Sequence, residues 1–261
     1  MAYAALIRFL LFLFFITTFA VAEQIWPRRR RQVSAWRRRW QNLLMIGIGS
    51  VLTILIPAGA ALGVAELARV NGWGLFRWIG LPNWLNGLFS LLVLDFIIYL
   101  QHAAFHRFPL LWRVHHTDRD IDTTSGVRFH PVEIIVSMFV KMAAVATFGI
   151  ALWAYLVFEI ILNGCALFNH ANLRLPLKAD GVLRRLIVTP DMHRVHHSVF
   201  HDENNRNFGF CLSWWDFGCR TYRDQPRSGH DNMRIGLPKT QDDRPLKFLW
   251  LLALPFRNEK T

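Results

Sequence analysis

From residue 132 to residue 168 the chain is almost wholly apolar, a run of about 37 residues where one membrane-crossing helix needs only about 20. A run of that length has to fold back on itself. Gly149, near its middle, supplies a turn, so the segment reads as a helical hairpin. Lys141 and Glu159 lie inside it and argue against full exposure of either arm to lipid. Three further apolar runs, 3–22, 43–65 and 85–101, approach spanning length. The Trp/Gly/Pro-rich stretch Trp73 to Trp84 reads as interfacial, as does the short apolar segment 246–256. The expected fold is an all-α integral membrane protein with about four core transmembrane helices. These come from an N-terminal span, a second span, a third span and the hairpin, beneath a cytosolic, histidine-rich helical cap. Three units are expected: 1–84 as a membrane anchor with two spans and a basic cytosolic loop, 85–225 as the catalytic part, and 226–261 as an interfacial tail.

The net charge of +12 raises the question of nucleic acid, but much of the excess sits at Arg28–Arg31 and Arg37–Arg39, between two apolar runs. A basic cluster flanking spans is a topology signal, and no nucleic-acid-binding motif accompanies it, so no nucleic-acid partner is expected. Ala20-Val21-Ala22 resembles a signal-peptide cleavage site. The arginines follow the apolar run and do not precede it, so the run reads as a first span with its N-terminus outside. Cys165, Cys211 and Cys219 form no CxxC pair, which removes thiolate-ligated clusters and a disulfide framework from consideration.

Nine of the 11 histidines make a pattern. His102 and His106 are spaced i, i+4, one turn apart on one helical face. His115 and His116 follow the turn at Pro109, and His130 and His170 stand at the two ends of the hairpin. His193, His196 and His197 have HxxHH spacing. So many protonatable rings at the mouths of spans are costly unless a metal holds them neutral. Asp95 shares a helix face with His102 and His106, at i, i+7, i+11, and is expected to accept the ring N–H that a ligating histidine leaves over. Asp191 and Asn172 are assigned the same supporting role. Glu159, Asn163 and His170 repeat the spacing, and the plainer reading is that Asp95 or Glu159 pairs with Lys141 or an arginine. His201 and His230 read as ordinary surface or packed histidines. Imidazole suits zinc, copper, iron and nickel alike, but this number of ligands exceeds one site and suggests two metals.

Several words along the chain carry a family resemblance. They are HAAFH, VHHTD, the run Thr123 to Pro131, Asn169-His170-Ala171-Asn172, TPDMHRVHHS from Thr189 to Ser198, Asn207-Phe208-Gly209 and Ser213-Trp214-Trp215-Asp216. Over roughly residues 85–225 the chain resembles the fatty acid hydroxylase/sterol desaturase superfamily. The resemblance implies a four-helix membrane core, two non-haem irons and O2 as co-substrate. It further implies a lipid substrate that is hydroxylated or desaturated, and an external electron donor of ferredoxin or cytochrome type with its reductase. Carried over by position, the ligands are His102, His106, His115, His116, His130, His170, His193, His196 and His197. The middle box departs from the family: Trp112-Arg113 runs directly into Val114-His115-His116, so Trp112 stands three residues before His115 where the family has histidine. The alternative that follows is a catalytically impaired membrane metal-binding protein.

Overall fold

The computed structural model describes residues 2–55 and 60–257. Helices make up the fold, and among the described residues no strands form, only isolated bridges such as Pro27 to Leu173. The long elements are α1 (Ala2–Ile25), α2 (Ala35–Leu55), α3 (Ala60–Val70), then the short α4 (Leu75–Trp78) and α5 (Asn83–Phe105). A one-turn α6 (Pro109–Trp112) leads to a 3₁₀ segment at Thr123–Val127. The hairpin is α7 (Pro131–Phe148) and α8 (Leu152–His170). The cap follows as α9 (Leu177–Leu183), α10 (Pro190–His196), α11 (His201–Asn204), α12 (Trp214–Gly218), α13 (Gly229–Asn232) and α14 (Phe248–Ala253).

Among the described residues, four helices are long and apolar enough to cross a membrane: Tyr3–Ile25, Asn83–Phe105, Pro131–Phe148 and Leu152–His170. The hairpin turns where the sequence indicates, with Gly149 at φ 67° accepting the left-handed conformation that closes α7. The expected second span, 43–65, is not among the four. Its residues are divided between α2 and α3, and 56–59 lie outside the described residues. The start of α2, Ala-Trp-Arg-Arg-Arg-Trp, lies before that run and belongs to the polar cap. Arg38 is buried there, 1% exposed, and pairs with Asp118 at 3.1 Å and with Asp122. Burial pushes the Asp122 carboxyl up, but the guanidinium of Arg38 outweighs it and holds the group well below the usual carboxylate range.

The core sits between α3, α5, α7 and α8, with Leu94, Val145, Ile150 and Phe158 essentially inaccessible. Trp250, Leu251 and Leu254 are buried against Met45 and Val114 and form a second small core over the cap. Gly126 explains how the 3₁₀ segment reaches α8. A Cβ there would lie 2.5 Å from the carbonyl oxygen of Ala166, so only glycine permits this approach, one turn before His170.

Candidate metal centre

α5 runs without a break into His102, and His106 closes the helix as its C-cap. Pro109 then turns the chain, and His115 and His116 follow in a single 3₁₀ turn. His170 is the last residue of α8. α10 starts on Thr189, whose hydroxyl accepts from the backbone N–H of Met192, with Pro190 in the first turn. That start fixes the helical phase which points His193, His196 and His197 inward.

The histidines converge into two groups of four. His102, His106, His116 and His196 form one, and His115, His170, His193 and His197 form the other. Neighbouring Nε2 atoms in the first group lie 2.9 Å (His196–His102), 3.1 Å (His116–His196) and 3.2 Å (His106–His116) apart. In the second they lie 3.1 Å (His170–His115), 3.1 Å (His193–His170) and 3.2 Å (His197–His193) apart. The adjacent histidines of the middle box are shared out, His116 to the first group and His115 to the second. The groups abut, with the His116 and His197 rings stacked at 4.3 Å.

The donor chemistry fits metal ions. His102 Nδ1 donates to the carbonyl of Phe208, and His196 Nδ1 donates to that of Arg206. His115 Nδ1 donates to Arg128, and His170 Nδ1 to Ala166. A carbonyl can only accept, so each of these rings carries its proton on Nδ1 and presents a bare lone pair at Nε2. The 2.9 Å contact of His196 with His102 and the 3.1 Å contact of His170 with His115 therefore set lone pair against lone pair. A cation between them removes that conflict. First-row ions with metal–nitrogen bonds of about 2.0–2.1 Å hold adjacent ligand nitrogens roughly 3 Å apart. Burial, reinforced by neighbouring imidazoles, pushes His106, His115, His116, His193, His196 and His197 well below the ordinary histidine pKa, so these rings are neutral and ready to ligate.

His130 is in neither group. It caps α7, its Nδ1 accepting from the backbone N–H of Val132, while its Nε2 lies 3.2 Å from the carbonyl of Leu252. His201 is exposed at the start of α11, and His230 is buried 3.6 Å from Asp191. Trp112, which stands where the family's pattern has histidine, stacks on the ring of His106 at 5.0 Å.

The three supporting residues are not hydrogen-bonded to a ligand ring. Asp95 accepts from the backbone N–H groups of Cys211 (3.2 Å) and Leu212 (3.0 Å) and from the indole of Trp215 (2.8 Å). Asp191 pairs with Arg28 at 3.1 Å and with Arg194. Asn172 is tied to the backbone of Arg29 through both its amide groups. Glu159 pairs with Lys141 and Arg8, as the plainer reading has it.

Sequence reasoning missed the residue that positions His102. Asp216 is fully buried and accepts from the backbone N–H groups of Phe208 (2.8 Å) and Gly209 (2.7 Å) and from the Thr221 hydroxyl. It thereby fixes the Phe208 carbonyl that holds the His102 ring. Burial pushes its carboxyl up to about 6. The available signal was an acidic residue in the word Ser-Trp-Trp-Asp. Asp216→Ala leaves both amides without an acceptor, a cost of roughly 2–4 kcal/mol. The expected outcome is a lower thermal midpoint and selective loss of metal from the His102 group, read as about one metal per chain. Retention of two would remove the positioning role.

The comparisons with known proteins follow the same lines. The fatty acid hydroxylase family model matches residues 87–221, more than half of the chain. The chain belongs to the fatty acid hydroxylase family. Among the curated members, it is similar to the ornithine lipid hydroxylase OlsE of Rhizobium tropici, 26% identical over 149 residues. That alignment covers 56% of this chain and 44% of the relative, so the chain matches less than half the length of OlsE. No solved structure matches. Within this family member, a cavity of about 230 Å³ lies among α5, α7 and α8. It reaches the histidine layer through Phe129, stacked on His115 at 4.8 Å, and Phe210, 6.2 Å from His102.

Proposed function

We propose that this protein hydroxylates an alkyl carbon of a membrane lipid, using O2 and two irons held by the eight clustered histidines. The observation that carries the reading is the pair of four-imidazole groups at one end of long apolar helices, in contact with an apolar-walled cavity. When bound, the irons would supply the oxidising power, drawn from O2, that an unactivated C–H bond requires. The chain's own residues hold the eight rings neutral and oriented, bury the site from water, and admit lipid past Phe129 and Phe210. Hydroxylation is favoured over desaturation because the curated relative is named a lipid hydroxylase.

We read residues 85–225 as the catalytic part, 1–84 as membrane anchor and 226–261 as a tail. The histidine layer is assigned to the cytosolic face. Arg28 and Arg29 meet Asn172, two residues beyond His170, so the basic loop lies at the histidine end of the helices, and positive loops stay inside. Electrons would come from a separate ferredoxin- or cytochrome-type carrier with its reductase.

The test is incubation of the iron-loaded protein with membrane lipid extract, O2, reductase and ferredoxin, followed by mass spectrometry. A lipid one oxygen atom heavier, absent without O2, is the expected result. A product lacking two hydrogens would mean desaturation instead, and oxygen consumption without any oxidised lipid would refute the proposal.

A further inference from the structure

The cavity beside the histidines is not uniformly apolar. Glu133, in the first turn of α7, is 8% exposed and lines it. Its carboxylate accepts one long hydrogen bond, 3.4 Å, from the backbone N–H of His130, and no cation pairs with it among the described residues. Glu159, equally buried on the facing helix, contrasts with it: Lys141 lies 2.7 Å and Arg8 3.0 Å from its two oxygens. The fold thus neutralises one buried carboxylate with two cations and leaves the other, nearer the histidine layer, with none. An unpaired buried charge is expensive, and an ionisable group within a membrane-spanning helix points to function.

A second acceptor opens on the same cavity. Gln101, next in sequence to His102, donates through Nε2 to the Ser137 hydroxyl at 3.1 Å, while its buried Oε1 has no partner among the described residues. Ser137 stands one helical turn from Glu133 on the same face of α7. One carboxylate without a counter-cation and one amide oxygen without a donor therefore line one cavity beside the metal ligands, among the described residues.

We infer that the substrate enters this cavity with a protonated amino group, which Glu133 and Gln101 bind close to the carbon to be oxidised. The inference rests on the lipid-oxidising reading above and narrows it to lipids with an amine in the part that reacts. An ammonium offers three donors and a positive charge, matching one carboxylate and one amide oxygen. A hydroxyl offers a single donor and leaves the carboxylate without a counter-charge. Size agrees. The cavity, at about 230 Å³, exceeds the roughly 150 Å³ that admits benzene, yet is smaller than the about 300–1,000 Å³ of pockets that enclose whole ligands. It takes the reacting segment of a lipid while the rest stays outside.

The test uses the full metal-loaded chain in lipid nanodiscs, with dodecylamine and 1-dodecanol as probes and empty nanodiscs as the partition control. The expected result is amine binding at least tenfold tighter than alcohol binding. Glu133→Gln should abolish that preference while metal content stays unchanged. Gln101→Leu, which removes only the second acceptor, should weaken amine binding severalfold. Equal binding of the two probes by the wild type, or a preference that survives Glu133→Gln, overturns the inference. Because the readout is binding, it separates from the catalytic proposal: an amine preference without lipid oxidation sinks the reaction and keeps the site, and the reverse sinks the site alone.

Discussion

Purified protein carrying two metals per chain will fall to one when His116 is replaced by alanine, and to one again with His115→Ala, although the two residues are adjacent. Each substitution removes a ring from a different group of four. The remaining three rings of the damaged group face one another with a gap in their shell, while the intact group keeps its ion. Lipid oxidation should drop by well over a hundredfold in both variants, since losing even an outer partner of a metal ligand costs about 10–100-fold. His130→Ala is the sharp contrast. Nine histidines are carried over from the family by position, yet this ring caps a helix and meets the carbonyl of Leu252. That variant is expected to keep two metals and lose only capping stability, on the order of 1 kcal/mol. Elemental mass spectrometry of the three variants decides. Loss of metal from His130→Ala, or retention of both ions without His115, would contradict the assignment of groups. Two metals in the wild type would also settle the middle box, because each group reaches four rings without a histidine at position 112.

The metal-free protein is expected to be abruptly acid-sensitive. Six rings, His106, His115, His116, His193, His196 and His197, are held well below the ordinary histidine pKa of about 6.5, first by burial and then by one another. The sign follows from proton counting. Below about pH 6.5 the unfolded chain binds a proton on each ring and the folded chain does not. Stability present above that pH is therefore lost as pH falls through it. Each ring contributes about 1.4 kcal/mol per pH unit, and six together on the order of 8. Total stabilities of domains are only about 5–15 kcal/mol. Chelator-stripped protein should thus keep the near-ultraviolet circular dichroism of its cap at pH 7.5 and lose it by about pH 5.5. Metal-loaded protein should hold to lower pH, because bound ions compete with protons for the same lone pairs. Identical melting of the stripped protein at both pH values would show that the rings are not desolvated as a group.

The helices that cross and the ligands that gather at their ends could be read from the chain, because apolar run length and imidazole spacing are local properties. The partition of the rings could not. His193, His196 and His197 look like one box, but helical phase sends the first and third to one group and the second to the other. That phase matters only once α5, α8 and the 3₁₀ turns have been placed around α10. Asp95 shows the limit of a shared helical face. Seven residues separate it from His102, about 10 Å of helix rise, too far for a direct hydrogen bond. It holds the 211–215 segment instead, directly after Phe208 and Phe210, whose rings lie against His102. The packing of the chain's end was not legible either, because a short apolar stretch carries no mark of its partners. Its burial against Met45 and Val114 is set by tertiary packing.

The arginines that read as an orientation signal have a second consequence. Arg28 is engaged by Asp191, Arg31 and Arg39 by Glu23, Arg38 by Asp118 and Asp122, and Asp120 accepts the backbone N–H groups of Gln32 and Val33. Glu23 in turn receives the N–H groups of Thr123 and Asn172. The segment that matches the family, 87–221, is thus riveted to residues that precede it. Excised alone, it would expose a ring of orphaned acids around its histidines. The minimal unit worth expressing, or grafting onto another anchor, begins before residue 23.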